Sequence, residues 1–225
     1  MGKTIESILE YILWCLLIII YPKKEECPIC GISEEEEIVC SKCRNKLLSV
    51  NSPEVRMHEG EEFTIYSCVY YTKELKTLIV KFKEKREYYI GEFLSLLLIE
   101  AMRKWDIRGD VITYVPLSKS KEKKRGFNQS LFLAKRLGKF YSIPVSSLLF
   151  KREGIKEQKK LSKAERYKNV CNAFFASKEK YVRGKRIILI DDIFTTGATL
   201  ISCVNELKKT GASEVKILTI GKSKL

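Results

Sequence analysis

Two adjacent carboxylates followed by hydroxyls and a glycine are the residues best suited to chemistry here. They lie in Ile187-Ile188-Leu189-Ile190-Asp191-Asp192-Ile193-Phe194-Thr195-Thr196-Gly197-Ala198-Thr199. The apolar run Ile187–Ile190 reads as a buried strand that ends abruptly at Asp191 and Asp192. In an open parallel sheet ligands bind beyond the carboxyl ends of the strands, so both carboxylates are expected at a ligand. Thr-Thr-Gly-Ala-Thr then leads into a helix. Gly197 lets the backbone approach closely, and the first amides of a helix attract an anion. Thr195, Thr196 and Thr199 add hydroxyl donors for phosphate oxygens. Two carboxylates beside a phosphate demand compensation. Ribose hydroxyls donate to carboxylates, and Mg²⁺ takes a few oxygens plus water. A sugar phosphate carrying a metal-bound pyrophosphate meets all these demands. An acidic turn before a capped helix would explain the Asp pair, but not the whole string.

A second constellation is Cys27-Pro28-Ile29-Cys30 and Cys40-Ser41-Lys42-Cys43, a C-x₂-C-x₉-C-x₂-C pattern. Four thiolates so spaced suit tetrahedral zinc, with a redox dithiol or an iron–sulfur cluster as rivals. Four protein ligands leave no open position, so the zinc is expected to be structural. The remaining cysteines, Cys15, Cys68, Cys171 and Cys203, sit in apolar contexts and read as core. This is not the spacing of a disulfide scaffold, and it suits a reducing cytoplasm. His58 is the single histidine, so no Ser-His or Cys-His nucleophile is available.

The elements that must position these residues alternate between strand and helix. Phe63–Tyr71 is rich in strand formers. Leu75, Leu78, Ile79 and Phe82 share one helical face. A second helix is expected over Tyr88–Lys104, a strand over Val111–Pro116, and a helix over Asn128–Phe140. Pro144–Phe150 reads as extended and Lys151–Val170 as highly charged with few apolar anchors. A helix over Thr199–Lys209, stopped by Gly211, precedes a final strand over Val215–Ile220. Such alternation implies an α/β fold with a mostly parallel sheet flanked by helices. Three segments are expected: an apolar N-terminal helix in residues 1–21, the cysteine module in 22–50, and the α/β domain in 63–225. Asn51–Glu62 reads as a polar linker. Ile12–Ile20 is an apolar run of nine residues. That is too short to span a bilayer, which takes about 20 residues, so no integral membrane span is expected and the helix should pack on the protein or a partner.

Charge divides the chain in the same way. Residues 1–62 carry 7 Lys and Arg against 12 Asp and Glu, whereas residues 63–225 carry 35 against 16. The formal net charge is +14 over 225 residues, so an anionic partner is expected for the second part. The aromatics among the basic residues, Tyr70, Tyr71, Phe82, Phe127 and Tyr167, are candidates for base stacking or for core.

The Asp191–Thr199 string resembles the phosphoribosyl pyrophosphate (PRPP) motif of type I phosphoribosyltransferases. Upstream lie Val115-Pro116-Leu117-Ser118-Lys119 and Arg125-Gly126-Phe127-Asn128-Gln129-Ser130. Downstream come Gln158, Leu161, Ala164-Glu165-Arg166, Asn169-Val170 and Ala173-Phe174. With the cysteine pattern in front, these resemble the ComF family, competence-associated proteins with a phosphoribosyltransferase-like domain. The resemblance implies that Asp191 and Asp192 are candidate catalytic residues holding ribose hydroxyls. It implies that Thr195, Thr196, Gly197, Ala198 and Thr199 hold the 5′-phosphate. Lys119 and Arg125 fall in what looks like the pyrophosphate loop, and Lys81 matches a family lysine near the site. Lys151–Val170 looks like a hood over the ligand, departing from the family at Ile155 and Glu153. Cofactors implied are structural Zn²⁺ and Mg²⁺ with PRPP. Three readings follow: an enzyme that transfers the phosphoribosyl group, a protein that binds single-stranded DNA, and one that docks a competence helicase-like partner.

Overall fold

The computed structural model describes residues 26–32, 37–58, 61–152, 173–176 and 179–223. The expected N-terminal helix, Cys15, Cys171, Tyr167 and the hood positions Glu153, Ile155 and Gln158 lie outside the described residues.

A short helix α1 (Ser41–Arg44) carries the second cysteine pair. Strands β1 (Glu54–His58) and β2 (Glu61–Tyr70) follow, then helices α2 (Lys73–Lys85) and α3 (Tyr88–Lys104). Strand β3 (Val111–Tyr114) leads to α4 (Lys119–Arg125) and α5 (Gln129–Tyr141). Strands β4 (Leu149–Lys151) and β5 (Phe174–Ala176) form a separate antiparallel pair. After α6 (Glu179–Val182) come β6 (Arg186–Phe194), α7 (Ala198–Lys209) and β7 (Glu214–Lys222).

The main sheet runs β1-β2-β7-β6-β3. β2, β7, β6 and β3 are parallel, and β1 closes one edge antiparallel to β2. Residues expected to form a linker therefore form this edge strand. Its apolar side chains Val55 and Met57 are 57% and 63% exposed, so no buried alternation marked it.

β6 is covered on both faces, which is why it reads as a continuous apolar run. Ile188 and Ile190 pack into one cluster with Leu75, Leu78 and Phe82 of α2, Leu94 and Leu98 of α3, and Leu133 and Leu137 of α5. Ile187 and Leu189 face the opposite cluster with Leu200, Cys203, Val204 and Leu207 of α7. Side chains one residue apart on a strand point to opposite faces, so this alternation fixes the register. Cys68 and Cys203 are core as expected, and burial pushes both thiols up. Phe82 is also core, ringed by Phe127 and Phe132 at 5.3 and 5.4 Å between centroids. Among the described residues no helix is long and apolar enough to cross a membrane.

Candidate functional site at the carboxyl ends of the strands

The strand expected to stop at the carboxylates continues through them. β7 goes on pairing with β6 through Asp191↔Thr219, Ile193↔Gly221 and Phe194↔Lys222. On the other side β3 ends its pairing at Tyr114↔Ile190. Asp191 and Asp192 thus lie in a strand that has just lost a neighbour, at the open carboxyl end of the parallel sheet, where ligands of such sheets bind.

Each carboxylate has a partner from a different helix. Asp192 is 7% exposed. Its Oδ2 forms an ion pair with Lys83 Nζ of α2. Tyr71, which follows β2, stands close by; its phenol is raised by burial and by the Asp192 charge. Asp191 is half-buried and its Oδ1 accepts two hydrogen bonds, from Ser130 Oγ at 3.0 Å and from the Asp192 amide at 2.9 Å. Burial, and then the Asp192 carboxylate, push the Asp191 carboxyl up to about 8, with Lys83 pulling the other way.

Beyond Phe194, Thr195 and Thr196 are exposed and Thr199 is half-buried. Gly197 caps α7 in the left-handed region, φ 80°, and has no side chain to bond the first amides. The α7 ladder begins with Ile201 N–H donating to Gly197 O at 2.8 Å. The amides before it have no intrahelical acceptor, the arrangement that favours an anion at a helix start. A Cβ at Gly197 would stand 2.7 Å from Phe194 Cε2, so the site needs glycine for space as well as for φ. Under this turn a cavity of about 20 Å³ is lined by Phe194, Thr196, Gly197, Leu200 and Arg56. Arg56 comes from the edge strand, its guanidinium 5.8 Å from the Phe194 ring centroid, and nothing in the motif pointed to it.

The segment expected to be a pyrophosphate loop is the helix α4. Ser118 caps it by accepting from Lys121 N–H at 3.4 Å, and Gly126 ends it at φ 79°. Lys119 opens its exposed first turn. Arg125 donates to Gln129 Oε1 at 3.2 Å and to Glu84 Oε1 of α2 at 3.3 Å. Asn128 caps α5 by accepting from Ser130 and Leu131 amides, and its Nδ2 donates to Val115 O at 3.1 Å. The Arg-Gly-Phe-Asn-Gln-Ser run therefore ties the end of β3 to Asp191 on β6.

Lys81 is placed elsewhere. Its Nζ donates to Pro28 O at 2.6 Å, within the first cysteine pair, and the lysine that α2 sends to the carboxylates is Lys83.

The four cysteines converge. All four Sγ atoms lie within 4.8 Å of one another, with Cys30 and Cys40 at 3.7 Å. Tetrahedral zinc with Zn–S bonds of about 2.3 Å sets sulfurs about 3.8 Å apart, so the donor set fits structural zinc. Gly31, at φ 76°, turns the first pair, and its amide donates to Cys27 O at 2.9 Å. Burial disfavours the Cys27 thiolate, but hydrogen bonds from the backbone of Cys30, Cys40 and Ile29 outweigh it and bring the thiol to about 7. Burial pushes Cys43 up. Cys27, Cys40 and Cys43 are buried in the same cluster as α2 and α3. Among the described residues no other cluster of three or more His, Cys, Asp or Glu side chains is placed to hold a metal.

Comparison with known proteins agrees with this layout. Residues 123–222 match the phosphoribosyl transferase domain. The chain is 31% identical to Competence protein F of Haemophilus influenzae over 157 residues, covering 66% of this chain and 68% of that one. It is 30% identical to Competence protein ComFC of Bacillus subtilis, covering 88% and 78%. It is 30% identical to DNA utilization protein YhgH of Escherichia coli, covering 86% and 82%. A mostly parallel sheet flanked by helices, a four-cysteine cluster and relatives at this identity over most of the chain lead to one assignment: the chain belongs to the ComF family, with a phosphoribosyltransferase domain of type I fold.

Proposed function

We propose that the crevice at the carboxyl ends of β6 and β3 binds PRPP with Mg²⁺ and transfers its phosphoribosyl group, releasing pyrophosphate. One observation carries the reading: a single strand–turn–helix unit presents a carboxylate pair and then an anion-binding helix end opened by a left-handed glycine. These complement a ribosyl diol and a 5′-phosphate. Asp191 and Asp192 accept from the ribosyl hydroxyls. Thr195, Thr196, Thr199 and the amides behind Gly197 and Ala198 hold the 5′-phosphate. Lys119 and Arg125 on α4 supply positive charge for the pyrophosphate. Two carboxylates make too small a donor set for a dedicated metal cage, and they fit a Mg²⁺ that arrives on pyrophosphate oxygens. When bound, the ion neutralises charge on the leaving group. The bond from the anomeric carbon to the pyrophosphate oxygen breaks and its electron pair leaves with pyrophosphate. A nucleophile's lone pair makes the new bond. Positive charge grows on the sugar ring meanwhile, and fixed carboxylates stabilise it without reorganising.

Calorimetric titration of PRPP, with and without Mg²⁺, tests the reading on zinc-loaded wild type and on Asp191→Ala/Asp192→Ala. Saturable, Mg²⁺-dependent binding that is lost in the variant is expected. Absence of binding in wild type would overturn the reading.

The alternative is a single-stranded DNA surface. What favours it is α4, whose Lys119, Lys121, Lys123 and Lys124 are all exposed, together with the competence and DNA-utilization names of the relatives. Binding through phosphates falls steeply with salt, so a salt series on a labelled oligonucleotide separates it from the PRPP site.

A further inference from the structure

We propose that Lys83 is a positioning residue of the ribosyl site, anchoring one oxygen of the Asp192 carboxylate so that the carboxylate pair selects a sugar carrying both vicinal hydroxyls. The inference rests on the sugar-phosphate reading above and adds a residue that lies outside the Asp-Asp-Thr-Thr-Gly motif and outside the matched domain at 123–222.

The Lys83 and Asp192 side chains are only 17% and 10% exposed. A pair so shielded from water is not the loose surface contact that contributes almost nothing. Removing one partner from it leaves a buried charge unmatched. The local charges make the lysine necessary. Asp192 is faced by Lys83 from α2, by Tyr71 after β2 and by Asp191 on its own strand. Of these only Lys83 is cationic. Without it, the Asp192 charge that acts on Asp191 has no cation from these neighbours to match it.

Geometry supports the same role. Lys83 takes Oδ2 of Asp192, while Ser130 and the Asp192 amide take Oδ1 of Asp191. One oxygen of each carboxylate is thereby anchored, which sets the rotation of both groups before a ligand arrives. Asp192 is anchored from α2 and Asp191 from α5, so two helices fix the separation of two acceptors. A rigid acceptor pair of this kind is matched by two hydroxyls on neighbouring carbons and not by one.

The test compares ribose 5-phosphate with 2-deoxyribose 5-phosphate by calorimetry, on wild type, Lys83→Met, Lys83→Gln and Lys83→Arg, with folding checked by circular dichroism. A hydrogen bond to a charged acceptor corresponds to about a 10-fold preference or more, so wild type should favour the ribose compound by at least that. Lys83→Met should weaken ribose 5-phosphate by about 10-fold and bring the two sugars within about threefold of each other. Lys83→Arg should restore the preference. Lys83→Gln keeps a polar head on a slightly shorter stem and decides the matter if the Met variant is unfolded. A folded Met or Gln variant that keeps the wild-type preference overturns the role of Lys83, whether or not both affinities fall together. Wild type that binds neither sugar phosphate overturns the underlying sugar-phosphate reading instead.

Discussion

Ser130 Oγ donates to Asp191 Oδ1 at 3.0 Å, across 61 residues of sequence. The bond joins the first turn of α5 to the carboxyl end of β6, so the two halves of the family pattern meet at one oxygen. Because Asn128 caps α5 and also holds Val115 at the end of β3, the serine has little freedom. Ser130→Ala should therefore lower PRPP affinity by about 10-fold, the size of a lost charged hydrogen bond. Ser130→Thr should recover most of it. Calorimetry on both variants checks this.

Asp191 carries a stability cost that depends on pH. Its carboxyl is held up to about 8 in the fold by burial and the Asp192 charge, against about 3.9 in an unfolded chain. The folded state therefore binds the proton more tightly. This contribution is full below about pH 4 and drains away as pH rises to about 8. Asp191→Asn removes that slope. The variant should melt higher than wild type by about 3 °C or more at pH 8, with a smaller gap at pH 5, while losing PRPP binding. For wild type the ligand needs an acceptor, so affinity should climb between about pH 7 and 9. Scanning calorimetry at the two pH values and a pH series of titrations measure both effects.

Gly197→Ala meets two obstacles: φ of 80° and a Phe194 ring 2.7 Å from the new Cβ. A left-handed alanine costs about 1–2 kcal/mol before the clash is counted. The variant should melt several degrees lower and lose the phosphate half of the site. Inorganic phosphate titrated into folded variant and wild type reports the second loss separately.

Zinc content should be one ion per chain by elemental analysis. Cys27, Cys40 and Cys43 lie in the cluster that also holds Leu75, Leu78 and Phe82 of α2. Chelation, or Cys27→Ser, should thus unravel the turn and lower the melting temperature of the whole chain, since a structural metal contributes folding energy directly. A melting curve unmoved by chelator, on protein shown to be metal-free, would contradict this.

Much of the sheet was legible because the pattern was strong. Buried on both faces, β6 had to be uninterrupted Ile and Leu, and α3 spans the residues that its apolar density indicated. The misreadings have physical causes. Polarity at Asp191 suggested that the strand ends there, but backbone pairing with β7 does not depend on side-chain polarity, and it runs on to Phe194. β1 escaped notice because an edge strand with exposed Val55 and Met57 has no buried face to print a period of two. α4 looked like a basic loop although Ser118 and Gly126 are its cap residues; its lack of any buried residue hid the helix. Lys81 was named from the resemblance and Lys83 was not, for a sharper reason. Phe82 marks the buried stripe, and Lys81 and Lys83 flank it on either side. Only the docking side of the cysteine module decides which of them meets the acids.

That flanking arrangement has a mechanical meaning. At about 100° per residue, Lys81 and Lys83 leave α2 in nearly opposite directions, one tethered to Pro28 O among the cysteines and the other to Asp192. Two guy-lines pulling from opposite sides hold a rod against rolling about its own axis. Slackening the line anchored among the cysteines lets the rod turn, and the ammonium on its far side swings off the acid. The cysteine cluster and the carboxylate pair are thus tied to opposite sides of one helix, and removal of a metal from the cysteines should be felt at Asp192 before any strand comes apart.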